Sequence, residues 1–120
     1  MTKQLVTVPE DRALSGHESR LLTWLLEHGK PSARAHLGEV ERVRVVSQCG
    51  CGCASIDFVD ATRASMEILS EHKWQDANGH LFGVFAFARK GRLAGLEVWS
   101  IDGEATPTVL PATSSLEPFE

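Results

Sequence analysis

No stretch of this chain approaches the ~18 consecutive apolar residues that a bilayer crossing needs, so no membrane-spanning helix is expected. The opening segment, Met1 to Pro9, has no apolar run behind a basic patch, so no secretory leader is read there and the expected setting is cytoplasmic. Positive charge is not in surplus either: 12 Lys and Arg stand against 16 Asp and Glu, a formal net charge of −4. Nucleic acids and anionic membranes are held by basic surface, so neither is expected as a partner. The Arg89-Lys90-Gly91-Arg92 cluster is too small to change that and reads as solvation for a turn. Cysteine is scarce, and all three copies sit together at Cys49, Cys51 and Cys53. Thiols so close in sequence cannot staple distant segments, which argues against a secreted disulfide framework. Also missing are a phosphate-cradling glycine loop, a Gly-x-Ser-x-Gly elbow and a His-Glu-x-x-His pair. No catalytic residue is therefore assigned, and no cofactor.

What remains is the composition of an ordinary globular domain: 120 residues, 42% hydrophobic and 23% charged. That length suits one domain spanning residues 1–120. Residues 1–9 and the Pro- and Ser/Thr-containing tail 107–120 read as extended or partly disordered ends. Helical signals are confined to the first third. Ser15 and Glu18 form a capping box, in which each side chain satisfies the other's backbone amide. Leu21, Leu22, Leu25 and Leu26 then recur at helical spacing beside Trp24, until Gly29 and Pro31 end the run. A shorter helix is expected over Ser32–Leu37, closed by Gly38.

From Glu39 onward the pattern changes to alternation and tight turns, as an antiparallel sheet requires. Five strands are expected: Glu41–Gln48, Cys53–Val59, Met66–Gln75, Leu81–Ala88 and Leu93–Ile101. A helix over 62–72 competes for the third, because Ala64, Ile68 and Leu69 also fit a helical stripe. Asn78-Gly79 predicts a type I′ hairpin turn, with a second turn at Lys90-Gly91. The expected fold is thus α+β, one or two N-terminal helices packed on a five-stranded, mainly antiparallel meander.

Both faces of the last hairpin are apolar. Phe82, Val84 and Ala86 alternate with Leu81, Phe85 and Phe87, while Leu96 and Val98 oppose Leu93, Trp99 and Ile101. A sheet wetted on one side alternates cleanly, so each face here needs cover. The helices can shelter one face, and a second copy of the chain is the expected shelter for the other, making a homodimer.

Three sets of residues could carry chemistry. Cys49, Cys51 and Cys53 offer soft sulfur donors for zinc or copper(I), although the paired Cys-x-x-Cys spacing of a standard zinc site is absent, so no metal site is assigned. Read without a ligand, they are small buried residues of a hairpin. Glu97 is a carboxylate inside an apolar strand, sharing parity with Trp99; buried, it must be paired or protonated. It is either a ligand-binding or acid–base group, or an edge carboxylate held by Arg42 or Arg89. Asp57, between Ile56 and Phe58, is read in the same way.

The segments Cys49-Gly50-Cys51-Gly52-Cys53-Ala54-Ser55-Ile56-Asp57-Phe58 and Gly91-Arg92-Leu93-Ala94-Gly95-Leu96-Glu97-Val98-Trp99 resemble a group of small uncharacterised bacterial proteins. In that group a Cys-Gly-Cys hairpin precedes a Gly-x-Leu-x-x-Leu-Glu-Val-aromatic strand. The resemblance covers roughly residues 40–102, with Ala54 standing where the group implies Pro, and it implies kinship of fold without a reaction. The functional expectation is a non-enzymatic binding or interaction module acting as a homodimer. The alternatives are a small-molecule or metal site built from the cysteine hairpin with Asp57 or Glu97, and an immunity- or antitoxin-like partner of another protein.

Overall fold

The computed structural model describes residues 7–59 and 65–119. Its elements in chain order are β1 (Thr7–Ala13), α1 (Gly16–Glu27), a 3₁₀ helix (Pro31–Glu39), β2 (Arg44–Cys49), β3 (Ile56–Asp57), β4 (Met66–Gln75), β5 (Leu81–Arg89), β6 (Arg92–Ser100), a 3₁₀ turn (Thr113–Ser115) and β7 (Glu117–Pro118). The class is α+β with an antiparallel sheet, as expected. The sheet has seven strands rather than five, in the order β1-β2-β3-β6-β5-β4-β7. It is also not a simple meander, because β3 pairs with β6 instead of β4. The two additional strands come from the ends of the chain: β1 pairs with β2, and β7 lies against His72 and Lys73 of β4.

The helix begins where its cap predicts. The Ser15 hydroxyl accepts from the Glu18 amide at 3.1 Å, and Glu18 Oε1 accepts from the Ser15 amide at 2.8 Å. Leu21, Leu22, Leu25 and Leu26 are fully buried against Phe82, Val84, Ala86, Leu96 and Val98 on one face of the sheet. Each such leucine contributes roughly 1.5–3 kcal/mol by leaving water, which is what fixes the helix to that face. No helix among the described residues is long and apolar enough to cross a membrane.

Residues 66–75 form a strand, which settles the competing helix for that part; 62–64 lie outside the described residues. A register shift between Ile68 and Ser70 places a bulge at Leu69. Simple alternation puts Met66, Ile68 and Trp74 on one face, but the bulge separates them. Trp74 is buried in the core, whereas Met66 and Ile68 are exposed. A second bulge, at Ala94 between the Gly95 and Leu93 pairings, moves Leu93 to the core side with Leu96 and Val98. The expected opposition of Leu93 to those two residues is therefore corrected.

The hairpin turns also exchange roles. Lys90 (φ 53°) and Gly91 (φ 76°) adopt the paired positive φ of a two-residue turn, closing Arg89 onto Arg92. At Asn78-Gly79 only the glycine has positive φ. That loop is longer, and it is organised by Asp76, whose Oδ1 accepts from the amides of Asn78 and His80 at 2.9 Å.

Candidate functional site

The cysteine hairpin leaves β2 at Cys49 and is pinned at its base. The Cys49 amide donates to the Ser55 carbonyl at 3.2 Å, and the Ala54 amide donates to the Pro107 carbonyl at 3.0 Å. Between these anchors the loop folds back on itself, with Gly52 at φ +95°, a conformation few other residues tolerate. The three Sγ atoms are thereby gathered within 4.8 Å of one another. Cys49 and Cys51 are disulfide-bonded and Cys53 is a free, half-buried thiol. Backbone amides of Cys51 and Cys53 donate to the sulfurs of Cys49 and Cys51, each at 3.4 Å.

Cys49 and Cys53 form one wall of a cleft of about 560 Å³ whose other walls include Arg12, His17, Glu18 and Leu110. Arg12 clamps Glu18 with two parallel bonds of 2.8 and 2.9 Å. Burial opposes the Glu18 charge, but Arg12 and the Ser15 donors outweigh it and hold its pKa below the usual carboxylate value. The Arg12 pKa is raised correspondingly, first through its hydrogen bond to Glu18. His17 Nε2 lies 3.2 Å from the Leu110 carbonyl oxygen. That contact requires a proton on Nε2, because a carbonyl oxygen only accepts. The cleft thus combines soft sulfurs, an imidazole and the N-terminal turn of α1.

Glu97, Asp57 and Trp99 occupy a different place, on the sheet face away from α1. Asp57 stands opposite Gly95, so Glu97 falls on the same face two residues further along β6. The Ser55 hydroxyl lies 2.9 Å from Glu97 Oε2 and accepts from the Val98 amide at 2.9 Å. The Ser47 hydroxyl donates to Asp57 Oδ2 at 2.9 Å. Burial raises the Glu97 pKa, the Ser55 hydrogen bond opposes that, Asp57 raises it further, and the Arg89 charge lowers it. Of the two arginines considered as partners, Arg89 is the one whose charge reaches Glu97. Trp99 lies over Gly83, where any Cβ would collide with the indole, and stacks on Phe119 with centroids 6.1 Å apart.

The structure therefore divides the sequence candidates into two sets. Among the described residues, the three cysteines alone form a cluster able to ligate a metal; Asp57 and Glu97 stand outside it. Sequence reasoning missed His17, Arg12 and Leu110 as neighbours of the sulfurs. The capping box located the start of α1, but nothing local tells that this turn faces the hairpin. No protein-family model, curated protein or solved structure matches this chain.

Proposed function

We propose that the chain is a binding module whose ligand is one soft metal ion, of the copper(I) or zinc class, held by the thiolates of Cys49, Cys51 and Cys53. The observation that carries this reading is the convergence of three Sγ atoms within 4.8 Å at the edge of an accessible cleft. Thiolate donors select soft ions, and three of them suit trigonal copper(I) or a zinc ion with one exchangeable position. The site joins neighbours in sequence and so departs from the two-pair zinc pattern that the spacing failed to match. A reducing compartment such as the cytoplasm keeps all three thiols available. The test is elemental analysis of phosphine-reduced protein after anaerobic loading with zinc or copper(I) and gel filtration. One ion per chain is expected, and none in the Cys49→Ser/Cys51→Ser/Cys53→Ser variant. Equal metal content in both proteins overturns the reading.

A second reading, self-association, is favoured by the helix-free face. Ile68 (42% exposed), Trp99 (36%) and Phe119 (40%) are all open to solvent, and a second copy of the chain is the occupant that would cover them. Covering this face would bury Glu97 further, which favours its neutral form, so pairing should strengthen as pH falls. Sedimentation velocity at pH 5 and pH 8 tests this. A monomer at both, at micromolar concentration, removes it.

A further inference from the structure

We propose that the three-sulfur site is gated by redox state: reduced, it holds the metal ion; oxidised, it closes into a disulfide and releases it. The inference rests on the metal-binding reading above and adds the event that controls it. The Cys49–Cys51 bond uses two of the three donors and leaves Cys53 as the only free thiol of the set. One sulfur is a poor anchor for an ion that three hold, because binding by the remaining donor lacks the preorganised geometry. The disulfide form therefore represents the closed state of the site.

Both states fit one backbone. The Cα atoms of Cys49 and Cys51 are 5.4 Å apart, within the usual disulfide span of about 4.4–6.8 Å. The loop ends are fixed outside the sulfur set, by the Cys49 amide on Ser55 and the Ala54 amide on Pro107. Switching consequently needs side-chain rotation rather than rearrangement of the sheet. The amides of Cys51 and Cys53 aim at the sulfurs of Cys49 and Cys51. Once reduced, these sulfurs react as thiolates, the form that both binds metal and attacks a disulfide. Cys49 lines the cleft of about 560 Å³ and Cys51 is exposed beside it, so a small oxidant can reach the pair.

The chemistry balances with a small-molecule disulfide as oxidant. One thiolate of the pair attacks it, forming a mixed disulfide and expelling one small thiolate. The second cysteine thiolate then attacks the mixed disulfide, forming the Cys49–Cys51 bond and expelling the other small thiolate. Two electrons pass from the protein to the oxidant, and the metal ion leaves with its charge unchanged. A small dithiol reverses the process by becoming a cyclic disulfide.

The experiment loads the reduced full chain with one zinc ion, adds glutathione disulfide, and follows free thiols and zinc released to a chromophoric chelator together. Before zinc is added, the expected thiol count is three per chain, falling to one after oxidation, with one zinc released for each pair lost. A dithiol should restore three thiols and uptake of one zinc. In Cys53→Ser, thiols should fall from two to none, which identifies Cys49 and Cys51 as the pair; circular dichroism checks that this variant is folded. If the reduced wild-type chain takes up no zinc or copper(I), the metal reading falls and the gate with it. If zinc stays bound while thiols drop from three to one, or if thiols do not drop, binding stands and the gate is refuted.

Discussion

Replacing Gly95 with alanine tests the packing of the helix-free face most directly. A Cβ built at Gly95 would lie 2.6 Å from the Ile56 carbonyl oxygen and 2.7 and 2.9 Å from Cζ and Cε1 of Phe87. Neither neighbour gives way cheaply. The carbonyl belongs to the β3–β6 ladder, and the Phe87 ring is only 2% exposed, with the Arg89 guanidinium 5.4 Å from its centroid. Overpacking of this kind costs about 1–3 kcal/mol. The loss of glycine's freedom in the unfolded chain returns about 0.4–1 kcal/mol. Gly38→Ala provides the control, since a Cβ there meets nothing within 4 Å and receives only the second effect. Urea unfolding should therefore separate the two variants by about 1–3 kcal/mol with unchanged m-values. In a Phe87→Ala background the Gly95→Ala penalty should shrink, because the ring collision is gone, and the coupling should exceed about 0.5 kcal/mol. Coincident midpoints for Gly95→Ala and Gly38→Ala, or strict additivity with Phe87→Ala, would refute the reasoning.

Three electrostatic predictions follow from groups held away from their ordinary pKa values. The folded pKa of Glu97 is raised above 4.5, so its contribution to stability is full below 4.5 and is lost as pH rises through the raised value; Glu97→Gln should flatten that decline in urea midpoints. Glu18 is the opposite case: its pKa is lowered, so its contribution is present above 4.5 and is lost as pH falls through the lowered value. Glu18→Gln keeps an acceptor for the Ser15 amide but loses the charge paired with Arg12, so it should destabilise the fold at neutral pH and weaken the acid dependence of thermal unfolding. His72 is lowered from 6.5, first by burial and then by the charge of His28, so protonation favours the unfolded chain and stability declines as pH drops below 6.5. His72→Phe, which keeps a ring against Trp24, should remove that decline, and an unchanged pH profile would count against it.

What could be read from the sequence was what local chemistry determines. Ser15, Glu18 and the leucine spacing placed α1, and the hydrophobic alternation placed β4, β5 and β6. The bulges at Leu69 and Ala94 were not read, because a bulge reverses the in/out phase part-way along a strand and its position depends on the pairing with the neighbouring strand. Strands β1 and β7 were hidden for a related reason: they contain Pro9 and Pro118, tolerable only at a sheet edge, and the edge exists only once the rest of the sheet has formed. Asn78-Gly79 misled because Asp76 offered its side chain to the same loop. For the candidate site, the closeness of the three sulfurs followed from their spacing. The cleft beside them did not, since its walls include His17 and Leu110, which meet across a separation of 93 positions.

Strand β3 has only two residues, yet it alone joins the β1–β2 ribbon to the β6–β5–β4 slab through the ladder. Beyond it, the join is completed by other means. The Phe58 amide reaches the Ala94 carbonyl at 2.7 Å, and the Ser55 hydroxyl receives the Val98 amide in place of a backbone acceptor. The hydrogen-bonded seam of the sheet thus runs through Ser55 to Phe58, although Val45 of the ribbon shares the leucine core. Amide protons on the ribbon that bears Cys49 should exchange as a cooperative group ahead of those in β5, so that the hairpin can loosen while the leucine-packed half stays shut.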